Sequence, residues 1–418
     1  MDTARTDASR ADAACADAAC ADAACADAAC ADAPRPGLWT REFALVWCGT
    51  FLTFFAAFQL FPTAPLRLRE LGADLSESGR FLTVFTVGSS LGALVTGQLG
   101  DRIGHKRMMV FASTTFMAIM AAYAFLPVRW GFYVLAPVHG AIWSGLLTAT
   151  TALLGGLLPE DRRAEGLSWY GLASPGGVVF GPTVGVAMHQ AFGFRGMCLG
   201  LVLSFGILAV LTRRLPPDRA HEGERPPFQG PEGPAIRLAS VLLFIALSYG
   251  ALSSFSAQEA LWLKMAWPSA FLSCLAIGMV ATRLVMGWVG FGRRPVRLLP
   301  WMLALAALGL SVLAFAPGGL ARHVVAGLVY GAGYSMVFTL LNTALLATVS
   351  PQRRGAAFGT FMFAFDAGIG LGSWALGLLM GTWGFQWGWR AGVLAMLCGL
   401  PLTVRIARIH GGPEAPAA

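Results

Sequence analysis

Long apolar segments, separated by short connections, make up nearly the whole chain from residue 42 onward. A helix needs about 20 predominantly apolar residues to cross the hydrocarbon layer of a bilayer. Because lipid offers no hydrogen-bond partners, a spanning backbone must form a helix or a closed barrel. The alternation typical of barrel strands is absent, so the sequence predicts an all-α membrane protein with twelve transmembrane helices. The predicted segments are 43–64, 80–100, 108–127, 131–157, 164–188, 195–212, 236–257, 267–291, 298–316, 321–349, 355–381 and 386–404.

The charged residues argue against a nucleic-acid partner and against an ATP-binding phosphate loop. Only 12% of the residues are charged, and the net charge of +8 comes mainly from arginines in the short connections. In soluble domains roughly a quarter of the residues are charged. The bases are therefore explained by membrane topology, and no nucleic-acid partner is predicted. The two lysines, Lys106 and Lys264, do not follow a glycine, so the chain has no GxxxxGK[ST] phosphate loop.

The N-terminal residues form a repetitive tail. Residues 11–33 repeat ADAAC four times before a final ADA. An aspartate interrupts every fifth position, unlike the uninterrupted apolar core of a signal peptide. We predict that residues 1–41 form a disordered low-complexity tail, with a thiol sensor or metal tether as the alternative.

No sequence pattern for catalysis is present in the chain. The cysteines include no CxxC pair, and neither a nucleophile constellation nor a cofactor loop occurs. We therefore expect no catalytic residue, no metal site and no cofactor, and we do not expect an enzyme.

Lysine and arginine are distributed unequally between the two faces of the predicted bundle. The termini and the even-numbered connections hold 21 of them, whereas the odd-numbered connections hold 8. Positive residues accumulate on the cytoplasmic side of membrane proteins. Both termini are therefore predicted to be cytoplasmic, in a multi-pass protein of the cell (inner) membrane that has the lipid bilayer as its surroundings.

The two halves of the chain repeat each other. At a constant offset of 191 residues, Gly177 and Gly181 of the first half align with Gly368 and Gly372 of the second. Six segments separate the copies, so both copies cross the membrane in the same direction, as in transporters that bind substrate between parallel repeats. The predicted domains are the tail 1–41, a six-helix bundle 42–212, a cytoplasmic linker 213–235, a second six-helix bundle 236–405 and a C-terminal tail 406–418.

A charged motif, GQLGDRIGHKR, occupies residues 97–107 between segments 2 and 3. Cytoplasmic placement explains its bases but not an aspartate flanked by glycines. The motif resembles the helix 2–3 loop signature of the major facilitator superfamily, which implies the fold of that family over residues 42–405. The decayed second copy, at 287–297, has Phe291 in place of the acid. The matching positions of the first copy are Gly97, Asp101, Arg102, Gly104 and Lys106.

The resemblance implies a gate at this loop. In similar transporters the aspartate faces the N-terminus of helix 11, here residues 355–359. The dipole of that helix favours a carboxylate there by about 0.3–2 kcal/mol. Arg102 is expected to pair with Glu160 or Asp161 at the end of segment 4.

Segment 5 resembles a signature of the drug and metabolite exporters within this family. The matching residues are Gly177, Gly181, Pro182 and Gly185. Glycines at every fourth position also permit close packing of two helices, which is the alternative explanation. Ala136 stands where those exporters carry an arginine in helix 4, so proton coupling is not supported at that position.

Ionisable residues inside a span cost about 2.5–3.5 kcal/mol when charged at its centre, and they are therefore functional candidates. Arg283 and Asp366 lie deep in segments 8 and 11; they either pair with each other or contact the substrate or the first half. His139 is either a neutral, hydrogen-bonded residue or a proton carrier. In this family, helices 1, 4, 7 and 10 line the central cavity. Their polar and aromatic residues here are Gln59, Trp143, Ser144, Tyr249, Tyr330, Tyr334 and Asn342.

The sequence therefore predicts a secondary transporter that moves a small-molecule substrate by alternating access. Proton-coupled efflux by a monomer is the leading hypothesis, with protons as the coupling ion. An importer or an uncoupled facilitator of the same fold is the first alternative. A membrane sensor or assembly protein that does not transport is the alternative from another class.

Overall fold

The computed structural model describes residues 38–158, 162–216, 233–289, 295–349 and 354–410. Most of the predicted tail and linker lie outside these ranges. Within them the chain forms twelve α-helices and a short 3-10 turn at Pro295–Leu298. The helices are α1 Arg41–Glu70, α2 Leu75–Ile103, α3 His105–Phe125, α4 Arg129–Leu157, α5 Arg163–Tyr170, α6 Ala173–Arg213, α7 Gly233–Trp262, α8 Ala270–Val289, α9 Leu299–Phe315, α10 Leu320–Thr348, α11 Arg354–Trp383 and α12 Phe385–His410.

The helices account for twelve membrane spans. Ten of the helices in the described ranges are long and apolar enough to cross a membrane. One of the ten, α6, has 41 residues, and Gly193 interrupts it with φ 68° and ψ 173°. A straight helix of that length would measure about 61 Å, twice the hydrocarbon thickness, so the kink divides α6 into two spans. The 29-residue α2, which packs against α4 and α11, completes the set and confirms the predicted fold class.

The α1–α2 connection has a strong helix-start signal. Asp74 accepts a hydrogen bond from the Glu77 N–H, while the Glu77 side chain accepts one from the Asp74 N–H. This reciprocal capping box satisfies donors that the first turn of a helix leaves free. The Glu77 N–H also holds the pKa of the Asp74 carboxyl below its usual value.

Helix packing repeats between the two halves. In the first half α1 packs on α6, α2 on α4, and α3 on both α4 and α6. In the second half α7 packs on α11, α8 on α10, and α9 on both α10 and α12. The halves meet where α2 contacts α11, where α6 contacts α8, and where α1 contacts α7. We name the face that carries the α1–α2, α7–α8 and α11–α12 connections the outer face, following the predicted topology.

The glycines of the predicted exporter signature lie where α6 packs on α1. A Cβ added at Gly177, Gly181 or Gly185 would lie 2.5 to 2.8 Å from a backbone atom of α1. Pro182 is buried in the same stretch. Only glycine permits so close an approach of two helices, so these positions build the core of the first half.

Candidate functional site

The α2–α11 interface closes the outer part of the molecule by backbone contact. The Ser373 hydroxyl donates to the Gly79 carbonyl at 2.8 Å, and the Thr83 hydroxyl donates to the Gly370 carbonyl at 2.9 Å. A Cβ added at Gly79 would lie 2.6 Å from the Ser373 carbonyl oxygen. The two helices therefore touch along a line of glycine and hydroxyl residues.

The α6–α8 interface closes the other side by side-chain hydrogen bonds. Thr183 of α6 lies 2.8 Å from the Ser269 hydroxyl and 3.0 Å from the Ser273 hydroxyl. The indole N–H of Trp267 donates to the same threonine oxygen at 2.8 Å. One hydroxyl of the first half thus connects three residues at the start of α8.

Deeper along the α2–α11 interface lies Asp366, one of the two charged residues predicted inside a span. Its carboxyl lies near the Ser89 hydroxyl of α2. Asp366, on a helix of the second half, is therefore directed at the first half.

Deeper along the α6–α8 interface lies Arg283, the other predicted charge. Its Nε donates to the Ser335 hydroxyl of α10 at 2.9 Å, and its Nη1 donates to the Gly171 carbonyl of the first half. That carbonyl is free because the residue four positions ahead is Pro175, which has no N–H to donate. The break between α5 and α6 thus creates an acceptor, and a cation of the other half occupies it.

Arg283 and Asp366 do not form an ion pair with each other: each contacts a different helix of the first half. Of the alternatives that the sequence left open, the structure has the one in which both residues meet the first half. Two opposite charges therefore lie at the two interfaces between the halves, each at the end farther from the outer face.

Aromatic residues predicted for the cavity form two separate clusters. In the second half Tyr249 stacks on Tyr334 with ring centres 4.7 Å apart, and Tyr334 stacks on Tyr330 at 5.8 Å. In the first half Trp143 packs edge-on against Phe54 at 5.4 Å. Tyr330 is fully buried, so its position is explained by packing between α7 and α10.

Of three other predicted residues, His139 and Gln59 are buried in the helix bundles and Asn342 is half-buried. His139 packs between the rings of Phe85 and Phe116, and its Nδ1 has no hydrogen-bond partner. Gln59 lies in the α1–α6 contact beside Gly185. Asn342 has a buried Oδ1 without a hydrogen-bond partner.

The predicted gate is described only in part. Arg102 is exposed, and Gly104 ends α2 with φ 95°, a conformation that glycine adopts readily. The Lys106 ammonium donates to the Leu215 carbonyl just beyond the end of α6. The described part of the chain does not include the surroundings of Gly97 or the side chain of Asp101. Glu160 and Asp161 lie entirely outside it.

Sequence reasoning missed a charged pair at the outer end of the second half. Glu259 and Arg322 are 1% and 4% exposed and form an ion pair of 2.7 Å. This pair lies near the ends of α7 and α10, whereas Arg283 and Asp366 lie deep in their helices. Glu259 was missed because α7 continues to Trp262, five residues beyond the predicted segment end.

Two parallel six-helix repeats are the architecture of a class of membrane transporters. The profile of the Major Facilitator Superfamily matches residues 46–343, and the chain belongs to that family.

The relatives in sequence include exporters. The chain is 28% identical over 196 residues to the multi-drug resistance efflux pump PmrA homolog of Lactococcus lactis subsp. lactis, which covers 46% of the chain and 47% of the relative. The chain therefore spans about half the length of this relative. It is 23% identical over 356 residues to the staphylopine export protein of Staphylococcus aureus, covering 81% of the chain and 88% of the relative.

Solved structures share the fold at low identity. A peptide transporter, POT, in complex with alafosfalin superposes with a TM-score of 0.75 at 14% identity, covering 91% of this chain and 98% of that one. The human organic anion transporter MFSD10 superposes with a TM-score of 0.65 at 16% identity, covering 87% and 99%.

Proposed function

We propose that this transporter exports a small organic solute from the cytoplasm across the cell membrane in exchange for protons. The observation that carries the proposal is the pair of opposite charges, Arg283 and Asp366, held between the halves. Charged residues at this depth face other protein groups instead of lipid. Arg283 donates to a carbonyl of the opposite half, and Asp366 lies near the Ser89 hydroxyl there. Movement of the halves changes both contacts, so both are available to sense a bound solute.

Export is supported by the relatives that are named efflux or export proteins. The solute classes of these relatives differ, so we propose a direction and a driving force for this chain.

The charged loop motif supplies the gate in this proposal. We expect Asp101 to hold the start of α11 when the cytoplasmic ends of the halves approach each other, and to release it in each cycle. The Asp101→Asn variant should insert into membranes at the normal level and transport poorly. Normal transport by this variant would exclude a gating role for the carboxylate.

The test uses the purified full-length chain in liposomes, with ethidium as the probe. Ethidium is a permanent cation, so a pH gradient alone does not redistribute it as it would a weak base. Exchange with protons predicts that ethidium accumulates in liposomes with an acidic interior. Accumulation indifferent to the gradient would remove proton coupling, and accumulation on the alkaline side would indicate an importer. Absence of flux with ethidium and with a panel of organic solutes would favour the sensor alternative.

The same assay tests the two charges. Hydrogen bonds to charged groups contribute about 1.5–3 kcal/mol, so Arg283→Gln and Asp366→Asn should each lower transport by about tenfold or more. Lys264→Gln, at an exposed lysine outside the two interfaces, is the matched control and should transport normally. Equal rates in all three variants would exclude a role for either charge.

A further inference from the structure

A second ionisable cluster lies at the outer end of the second half, away from Arg283 and Asp366. It joins Glu259 of α7, Arg322 and His323 of α10, and Trp389 of α12. All four residues are at most 4% exposed. Ionisable side chains are almost never buried so completely unless they are paired.

Two short hydrogen bonds hold the Glu259 carboxylate. The Arg322 Nη2 donates to one carboxylate oxygen at 2.7 Å, and the Trp389 indole N–H donates to the other at 2.9 Å. Arg322 also donates through Nη1 to the Leu313 carbonyl at 3.2 Å. Arginine keeps its charge at all physiological pH values, so Arg322 balances the charge of Glu259 whenever that carboxylate is ionised.

His323 lies between two oxygen acceptors. Its Nδ1 is 3.2 Å from the Gly319 carbonyl oxygen, and its Nε2 is 3.5 Å from a Glu259 carboxylate oxygen. The Nε2 atom is buried and has no hydrogen-bond partner. A neutral imidazole has a single N–H and can satisfy one acceptor, whereas the protonated ring has two and can satisfy both.

The two protonation states of His323 are thus unsatisfied in different ways. In the neutral state the charges balance, but a lone pair of the ring faces one of the two oxygen acceptors. In the protonated state both hydrogen bonds are available, but the dry site carries one extra positive charge. A group that is fully satisfied in neither state is suited to load and unload a proton.

The described charged neighbours of the ring are Glu259 of α7 and Arg322 of α10 itself. Helix α9 has no ionisable group, and Arg283 of α8 contacts Ser335 and the first half. The thiol-bearing Cys274 of α8 packs on Gly327 of α10, one turn beyond His323. Arg390 of α12 stacks on the rings of Phe315 and Trp387.

A pocket connects the cluster with the outer face. Its volume is about 630 Å³, and both halves line it, with Arg69 and Asp74 from the first half and Glu259, Trp262 and Gln386 from the second. Trp262 and Asp74 are exposed at its rim. Glu259 therefore borders both the pocket and the histidine ring, which provides a short path for a proton.

The cluster also borders the outer contact between the halves. Gln258, the residue before Glu259, donates to the Ser78 hydroxyl of α2 at 3.2 Å. One turn earlier in α7, Ser254 bonds at 2.7 Å to Ser373, which in turn donates to the Gly79 carbonyl. A change in the Glu259 contacts acts on the same turn of α7 that holds α2 and α11 in place.

We propose that His323, with Glu259, is the proton-binding site of this transporter and that it is loaded from the outer face. The Glu259 carboxylate takes a proton from water in the pocket and passes it to the Nε2 lone pair. After the halves have moved, the ring returns this proton to Glu259, which releases it toward the cytoplasmic side, so that the proton crosses the membrane in each cycle. This inference rests on the proposed proton-coupled export.

The charge state of the ring tests the site without a transported solute. In the full-length protein in liposomes, labelled with ¹⁵N-histidine, the nitrogen chemical shifts report whether each ring is neutral or protonated. The His323→Gln variant identifies the His323 signal. As the pH falls from about 9 to about 5, the His323 ring should change from neutral to protonated, while the ring of His139 should stay neutral. A His323 ring that keeps one charge state over this range overturns the proposal.

Transport tests the coupling. A gradient of about one pH unit drives about a tenfold accumulation for each coupled proton. Wild type should reach that ratio with ethidium, and His323→Gln and His323→Asn should fall to about equal concentrations on both sides while ethidium exchange continues. His189→Gln is the matched control, because His189 contacts Glu70 at 2.7 Å at the outer end of the first half, where Glu70 is 45% exposed.

The two experiments separate the two proposals. A wild type indifferent to the gradient, whose His323 ring still titrates, contradicts proton-coupled export and leaves the proton site supported. Full coupling in both His323 variants overturns the proton site and leaves proton-coupled export supported.

Discussion

The α2–α11 and α6–α8 interfaces are counterparts in the two repeats, yet they are built differently. At the α2–α11 interface the backbones touch, because Gly79 and Gly370 leave no side chain between the helices. At the α6–α8 interface the contact depends on Thr183 and the three hydrogen-bonding groups around it. We therefore expect the α2–α11 interface to be sensitive to added side-chain volume. The α6–α8 interface should be sensitive to the loss of the Thr183 hydroxyl oxygen.

The difference assigns separate tasks to the two sides. Backbone contact depends on shape and has no intermediate state, so it suits a firm closure. Hydrogen bonds between hydroxyls and an indole exchange readily with water, so they suit a contact that re-forms in each cycle. Spin labels can report on each side independently in a cysteine-free background, at Arg80 and Thr382 for one interface and at Gln190 and Ala266 for the other.

The largest effect is expected from Gly79→Ala. The added methyl group would lie 2.6 Å from the Ser373 carbonyl oxygen, and overpacking of this kind costs about 1–3 kcal/mol. The distance between labels at Arg80 and Thr382 should lengthen, and ethidium transport should fall strongly. Gly381→Ala is the matched control, because its methyl group would meet Ser76 at an ordinary 3.4 Å. Identical distance distributions in the two variants would falsify the steric account of this interface.

A smaller effect is expected from Thr183→Val, which keeps the shape of the side chain and removes its oxygen. The Trp267 N–H then loses its acceptor, and an unpaired buried donor costs about 1–3 kcal/mol, with the lower part of that range expected at this half-buried position. The labels at Gln190 and Ala266 should separate while those at Arg80 and Thr382 do not. Thr114→Val serves as the control, because the Thr114 hydroxyl bonds only within α3. A response of both label pairs would contradict the independence of the two interfaces.

The smallest effect is expected from Thr83→Val at the backbone-built interface. Its hydroxyl donates to the Gly370 carbonyl at 2.9 Å, and such bonds between membrane helices contribute about 0.6 kcal/mol on average. The Arg80–Thr382 distance should change little, and transport should fall by less than in Thr183→Val. If Thr83→Val opens the interface as widely as Gly79→Ala, hydrogen bonding holds it and the comparison with the α6–α8 interface fails.

The general architecture could be predicted because it follows from local sequence. The lengths of the apolar segments determine the number of spans, and the constant offset between Gly177 and Gly368 indicates the repeat. Both expectations are confirmed by the fold. The spacing of Gly177, Gly181 and Gly185 likewise indicates one helix face, and this face lies against α1.

The charged contacts could not be predicted, because they join residues distant in the sequence. Arg283 and Gly171 are 112 positions apart, and nothing near Arg283 indicates that its acceptor is a backbone carbonyl. His323 was hidden for another reason. It follows Arg322 at the very start of α10, and residues at segment ends are usually solvated, whereas here α7 and α12 cover them.

The missing N–H of Pro175 has a consequence for how a solute could load. Arg283 is bound to an oxygen atom that the backbone of the first half presents, and a carboxylate or carbonyl of an incoming solute presents the same kind of atom. If the solute binds Arg283, one oxygen atom replaces another on the guanidinium, and the bond to the Ser335 hydroxyl can be kept. We propose that the departure of the Gly171 carbonyl limits the entry of the solute and that its return releases the solute.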